Sequence, residues 1–257
     1  MRRIRMIVAY DGTAYVGWQT QKNGTAVQEL LEKALFSITG ESLCVQGSGR
    51  TDSGVHARAQ VAHFDTDARM PADKFSFAMN TRLPRDIRIL YSEEADADFH
   101  ARFAAKQKEY RYQLAVAPHE NVFFRNYALH MHNEPDFDLM CAAAEKIIGT
   151  HDFAAFKSTG TTVDSTVRTV FTSCWQKNGS MWTYIVSGNG FLYNMVRIFA
   201  GTMLAIGTHT LPPDAIERAL RTRFRADAGP TAPAHGLTLW RVSYSDFDTE
   251  EHLPDGF

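Results

Sequence analysis

Apolar positions recur along the chain with two periods, and the switches between them lay out its elements. Residues 3–10 form a first, largely apolar run that predicts a strand. Val27, Leu30, Leu31, Ala34, Leu35 and Ile38 then recur at helical spacing. Thr25 stands three residues before Gln28 in a capping-box pattern, and Gly40 is placed to stop the helix. Leu43 to Gln46 predicts a short strand. Over 55–61 the period becomes two: Val55, Ala57, Ala59 and Val61 alternate with His56, Arg58 and Gln60. That alternation predicts a half-buried strand with Arg58 on its polar face. Pro71 opens a helix with Phe75, Ala78 and Met79 on one face, and residues 87–91 alternate again.

The second half follows a similar order. Tyr110, Tyr112, Leu114 and Val116 alternate with polar or small neighbours. A helix is predicted over about 136–148, with Met140, Ala144, Ile147 and Ile148 inward. Strands at 167–175 and 181–187 join through Asn178-Gly179, a hairpin signal. A helix at 192–206, a shorter one from Pro212-Pro213 to about Arg221, and a strand from Leu237 to Tyr244 complete the chain. Two passes of strand, helix, strand, strand, helix, strand predict an α+β protein of two fused ferredoxin-like (RRM-like) halves. Mainly antiparallel sheets then meet at a central cleft. The halves divide as 1–104 and 105–247, followed by a tail at 248–257.

Composition narrows the classes. With 257 residues, 44% hydrophobic and 22% charged, the chain is ordinary globular material. Cys44, Cys141 and Cys174 are odd in number and far apart, which argues against a disulfide framework or a zinc ribbon. A reducing, cytoplasmic setting is the expectation. Asp11 ends the first apolar run too early for a signal peptide. Met195 to Gly207, interrupted by Arg197, is too short to span a bilayer, so no membrane partner is expected. Net charge is -2, yet basic residues cluster at Arg2-Arg3-Arg5, Arg82-Arg85-Arg88, Arg102-Lys106-Lys108-Arg111 and Arg218-Arg221-Arg223-Arg225. Such a surface binds a polyanion locally or is simply solvated, and charge alone leaves both open.

The most unusual stretch is Gly47 to His56, with three glycines in the eight residues 47–54 between two strands. Glycines let backbone approach a ligand closely, but the loop has neither the Walker nor the dinucleotide spacing. On composition alone, a tight turn capped by Asp52 and paired by Arg50 is the favoured reading. His130, His132 and Glu134 lack matching metal ligands elsewhere. Asp65-Thr66-Asp67 has the spacing of an aspartyl phosphotransferase motif, but Arg69 stands where that scheme expects Thr or Val.

Gly49-Arg50-Thr51-Asp52-Ser53-Gly54-Val55-His56-Ala57 resembles the signature of the tRNA pseudouridine synthase A family. Tyr10 to Gln19 resembles the family's opening strand and turn, and Val27-Gln28 its helix start. Asp98 to Phe103 with Tyr110-Arg111-Tyr112, Phe191 to Arg197, and Gly236 to Leu239 are similar to its later motifs. The ordered set reverses the preference for a mere turn.

The resemblance implies conversion of uridine to pseudouridine at positions 38–40 of the tRNA anticodon stem-loop. It also implies a pseudouridine synthase fold, a homodimer that shares one tRNA, and no cofactor or metal. Asp52 becomes the catalytic aspartate, flanked by Arg50. Tyr110 contacts the target base, Arg197 pairs with the aspartate, and Leu237 packs in the pocket. Arg58, Arg82, Arg102, Lys106 and Arg111 are candidate RNA contacts. Ser53 stands where the family usually has Ala, which bears on loop hydrogen bonding. A non-catalytic RNA-binding module on the same scaffold is the rival reading, and it has no need of Asp52.

Overall fold

The computed structural model describes residues 1–160 and 164–256; Phe257 of the tail lies outside them. In chain order the first elements are β1 (Arg2–Tyr10), α1 (Val27–Thr39), β2 (Gln46–Gly47), β3 (His56–Thr66), α2 (Lys74–Asn80) and β4 (Ile87–Ala95). Next come β5 (Gln107–Val116), β6 (Leu129–Met131), α3 (Phe137–Glu145), β7 (Gly149–Asp152), β8 (Val167–Asn178) and β9 (Met181–Gly188). The chain ends with α4 (Met195–Gly207), α5 (Ala215–Thr222) and β10 (Leu237–Ser243). The protein is α+β, and the strand ladders among the described residues are mostly antiparallel.

Two compact units form: Met1–Lys108 with Thr238–Phe257, and Glu109–Leu237. Sequence order had set 105–247 apart as one half and 248–257 as a tail. The last strand instead joins the first unit, because β10 pairs in parallel with β3, Thr238 opposite His56 and Leu239 opposite Ala57.

In the first unit β1 is central, antiparallel to β3 on one side and β4 on the other. Seven successive residues of β1, Ile4 to Tyr10, are buried, as expected for a strand covered on both faces. Helix α1 presents Val27, Leu31, Ala34 and Leu35 to the interior and ends at Gly40, as its period predicts. The predicted capping box does not form. Ala26 is the N-cap, and Gln28 Nε2 instead donates to Val45 O at 3.1 Å. Strand β3 is also buried on both faces rather than half-buried. Its alternate polar residues find internal partners, which removes the cost of burying them.

In the second unit the strand order is β5-β9-β8-β7, with β6 beside β5. Strands β6 and β7, of 3 and 4 residues, are too short to show a period and were not predicted. Asp136 caps α3 by accepting from Leu139 N–H at 3.0 Å. Ile148, predicted inward, lies past the helix end and is exposed. Helix α4 starts at Met195, later than expected, and twelve of its 13 residues are buried. The exception is Arg197.

Candidate active site

Segment 48–55 links β2 to β3, and several of its backbone groups are held by other elements. Ser48 N–H donates to Val61 O at 2.7 Å, and its hydroxyl donates to Gln60 Oε1 at 2.5 Å. Gln60 Nε2 in turn donates to Gly49 O at 2.8 Å. Gln60 is fully buried on β3, so the strand carries an amide bracket for the loop. The Lys108 ammonium donates to Ser48 O from the start of β5.

The other half of the loop rests on the turn after β1. Trp18 N–H donates to Thr51 O at 3.1 Å, and Tyr10 and Thr51 hydroxyls meet at 2.8 Å. Burial pushes the Tyr10 phenol well above its ordinary range, so it stays neutral. Tyr15 O accepts from both Ser53 Oγ, at 3.2 Å, and Gly54 N–H, at 3.3 Å. Val55 N–H closes the turn on Asp52 O at 3.1 Å. Two glycines make this approach sterically feasible. A Cβ on Gly12 would lie 2.0 Å from Val55 O, and one on Gly17 would lie 2.5 Å from Thr51 O. Gly17 also has φ +109°, a backbone region that suits glycine.

Asp52 therefore stands half-buried on a loop whose neighbours on both sides are fixed. Each such bond contributes about 0.5–1.5 kcal/mol net. Their joint effect is to fix the backbone of the loop that carries the carboxylate. Arg50, two residues earlier, is exposed. The two motifs read separately in the sequence, 10–19 and 49–57, are thus one structural unit.

The second unit holds the remaining principal candidates. Tyr110 on β5 is 8% exposed and packs edge-to-face on Phe191, with ring centroids 5.3 Å apart. Arg197 Nε donates to Ala232 O at 2.8 Å, and Nη1 donates to Asn194 Oδ1 at 2.8 Å. These contacts engage two of the guanidinium nitrogens on an otherwise buried helix. Tyr112 donates to Pro233 O at 3.1 Å, so Arg197 and Tyr112 together hold the backbone just before Leu237. Leu237 is buried.

The five proposed RNA contacts fare differently. Arg82, Arg102 and Lys106 are exposed. Arg111 pairs with Glu109 at 2.9 Å. Arg58 is engaged by Glu250 and lies over Trp240, so it does not present a bare cation to solvent. The first basic cluster is likewise neutralised: Arg2 meets Glu94, Arg3 meets Asp65, and Arg5 meets Glu93 and Asp246. Arg3 grips Asp65 through both carboxylate oxygens at 2.7 Å and holds that carboxyl below its usual range, which occupies the first acid of the Asp-x-Asp pair. His130 and His132 bind the carbonyls of Ala117 and Pro118. Among the described residues no group of three or more His, Cys, Asp or Glu is placed to hold a metal ion.

The sequence offers Lys108 only as a member of a basic cluster and Gln60 only as a polar position of its strand, neither as a support for the loop. Lys108 carried a signal: it shares the period-two register of Tyr110, Tyr112 and Leu114, where an ammonium is out of place unless something binds it.

The sequence profile of a family described as tRNA pseudouridine synthase matches residues 6–104 and 143–245. The chain belongs to the tRNA pseudouridine synthase family. It is 46% identical over 246 residues to a tRNA pseudouridine synthase A of Bacillus pumilus, covering 95% of this chain and 100% of the relative. It is 48% identical over 245 residues to one of Ruminiclostridium cellulolyticum, with the same coverage. One from Halalkalibacterium halodurans is 43% identical over 253 residues, 98% of this chain and 96% of the relative. The family profile spans Asp52 in its first stretch and Arg197 and Leu237 in its second, whereas Tyr110 and Lys108 fall in the interval between. No helix among the described residues is long and apolar enough to cross a membrane.

Proposed function

We propose that the protein isomerises uridine to pseudouridine at positions 38–40 of the tRNA anticodon stem-loop, with Asp52 as the catalytic carboxylate. The observation that carries this reading is the half-buried Asp52 on a loop braced by Gln60, Trp18 and Tyr15, in a chain of this family. The reaction breaks the N1–C1′ bond, turns the uracil and forms C5–C1′. The C5 proton leaves and N1 gains one, so no electrons are exchanged with a partner. Whether the carboxylate attacks C1′, adds at C6 or assists loss of a C2′ proton, it must be ionised. A neighbouring guanidinium favours that state, lowering a carboxylate pKa by ~1–3 units.

The target nucleotide must leave its stack, at a cost of a few kcal/mol. Stacking on an aromatic ring returns ~1–3 kcal/mol, and Tyr110 is assigned that role. Arg50, Arg197 and Leu237 complete the substrate-binding set, with Arg82, Arg102 and Lys106 as phosphate contacts. The same reading carries tRNA as partner, a homodimer, a cytoplasmic setting and two ferredoxin-like halves.

Asp52→Asn tests it directly. The variant should abolish tritium release from C5-labelled uridine in tRNA while keeping tRNA affinity within about tenfold, since one neutralised carboxylate leaves the phosphate contacts in place. Mass mapping of the wild-type product should place pseudouridine at 38–40. Residual turnover by Asp52→Asn removes Asp52 from its role. Wild-type binding without turnover would favour the RNA-binding module.

A further inference from the structure

The family profile ends at residue 245, and the segment beyond it folds back on the first unit. Its anchors are specific. Phe247 is buried, stacks on His252 with centroids 4.5 Å apart, and takes the Arg5 guanidinium 3.9 Å from its ring. Arg241 Nε donates to Asp248 Oδ1 and Oδ2 at 2.8 and 3.0 Å. Thr249 is fully buried, and its hydroxyl accepts from Val242 N–H at 3.1 Å.

Glu250 contributes no side chain to these anchors. Its carboxylate reaches instead to Arg58, with Oε1 on Nη1 and Oε2 3.4 Å from Nη2. The Arg58 guanidinium in turn lies 4.6 Å from the centre of the Trp240 ring. The Arg58 side chain is 13% exposed and that of Glu250 is 39% exposed. The carboxylate can therefore swing into solvent while the segment's backbone stays anchored.

A guanidinium fork presents the same paired donors to a carboxylate and to a phosphate, and an aromatic shelf limits its movement. Arg58 is two residues from Gln60 on β3, hence on the same strand face as the amide that brackets Gly49 O. We propose that Arg58 and Trp240 form a site for one backbone phosphodiester of the bound RNA. Glu250 fills that site in the RNA-free protein and yields it on binding. The proposal rests on the reading that this protein acts on tRNA. Its consequence is selectivity. An RNA that touches only this site must displace a carboxylate for one contact, whereas one held at Asp52 as well does so at little added cost.

Glu250→Gln keeps the side-chain shape and removes the competing charge. We expect tRNA affinity to rise about two- to fivefold, the worth of a partly exposed ion pair. The slope of log affinity against log salt should steepen by up to ~0.7–0.9, one phosphate contact. Adding Arg58→Gln should erase both changes, which a general loosening of the segment would not do. An unchanged affinity and slope in Glu250→Gln, or a gain that survives Arg58→Gln, overturns the site. If wild-type protein makes pseudouridine while Glu250→Gln shows no change, the proposal fails alone. If wild type neither binds nor modifies tRNA, the functional reading fails with it.

Discussion

Two connections in this protein invert the usual relation between polarity and exposure. Segment 48–55 is glycine-rich and polar, yet its backbone is tied to β3, the turn after β1 and the start of β5, and the Thr51 hydroxyl to Tyr10 of β1. Residues 121–128 contain Val122, Phe123, Phe124 and Tyr127, all exposed, with Phe123 at 82%. That second segment turns on itself: Phe123 N–H donates to Asn121 Oδ1, Tyr127 N–H to Phe124 O, and Arg125 Nη1 to Val122 O. These bonds join neighbours in sequence. The shape of 48–55 follows from residues 11 to 60 positions away, such as Gln60 for Gly49, Tyr10 for Thr51 and Lys108 for Ser48. A loop held that way moves only when several remote partners let go together. The role proposed for Asp52 requires this property, since small displacements of a catalytic group are costly.

The largest effect that probes this contrast comes from Gly12. Gly12→Ala places a methyl against the Val55 carbonyl, where backbone rather than a flexible side chain must give way. Overpacking of this kind costs about 1–3 kcal/mol of stability. A displacement near 1 Å at the carboxylate costs about a hundredfold in kcat. Thermal unfolding and single-turnover tritium release measure the two separately. A folded Gly12→Ala variant with wild-type kcat would show that the bracing is irrelevant to the chemistry.

Lys108 gives a smaller effect. Lys108→Met removes the ammonium from Ser48 O. A hydrogen bond to a charged group is worth about 1.5–3 kcal/mol, and a loop that keeps its other ties should lose only part of that. We expect kcat to fall roughly tenfold, about 1.4 kcal/mol, with partial recovery in Lys108→Arg. A change in KM alone would instead make Lys108 an RNA contact with no part in holding the loop.

Much of the first unit was legible, because its elements carry clean periods: the helical face of α1 and the alternation leading into β3 both appear where expected. The errors lie where a polar residue finds a remote partner. Gln28 looks like a capping residue until Val45 O is brought beside it. His56 and Gln60 look like a solvent face until Gly12 N–H and Ser48 meet them. The loop itself was legible through its glycines, but its supports were not, since no local pattern joins Trp18 to Thr51. The acidic end was read as a tail for the same reason: Arg5, Arg58 and Arg241, which hold it, lie on three different strands.

The smallest effect concerns Ser53, the residue after Asp52 in the loop. Its hydroxyl donates to Tyr15 O, but Gly54 N–H already donates to the same oxygen. The carbonyl thus stays satisfied when the hydroxyl is removed, and no buried polar group is orphaned. Ser53 is exposed, so its own desolvation contributes little. Ser53→Ala should change stability by no more than about 0.5 kcal/mol, and kcat by less than about twofold, the rate equivalent of ~0.4 kcal/mol. Steady-state kinetics beside thermal unfolding would check both. A tenfold loss of kcat at unchanged stability would mean that the hydroxyl acts on the substrate itself, and the loop would then owe its function to Ser53 as well as to the remote ties that hold it.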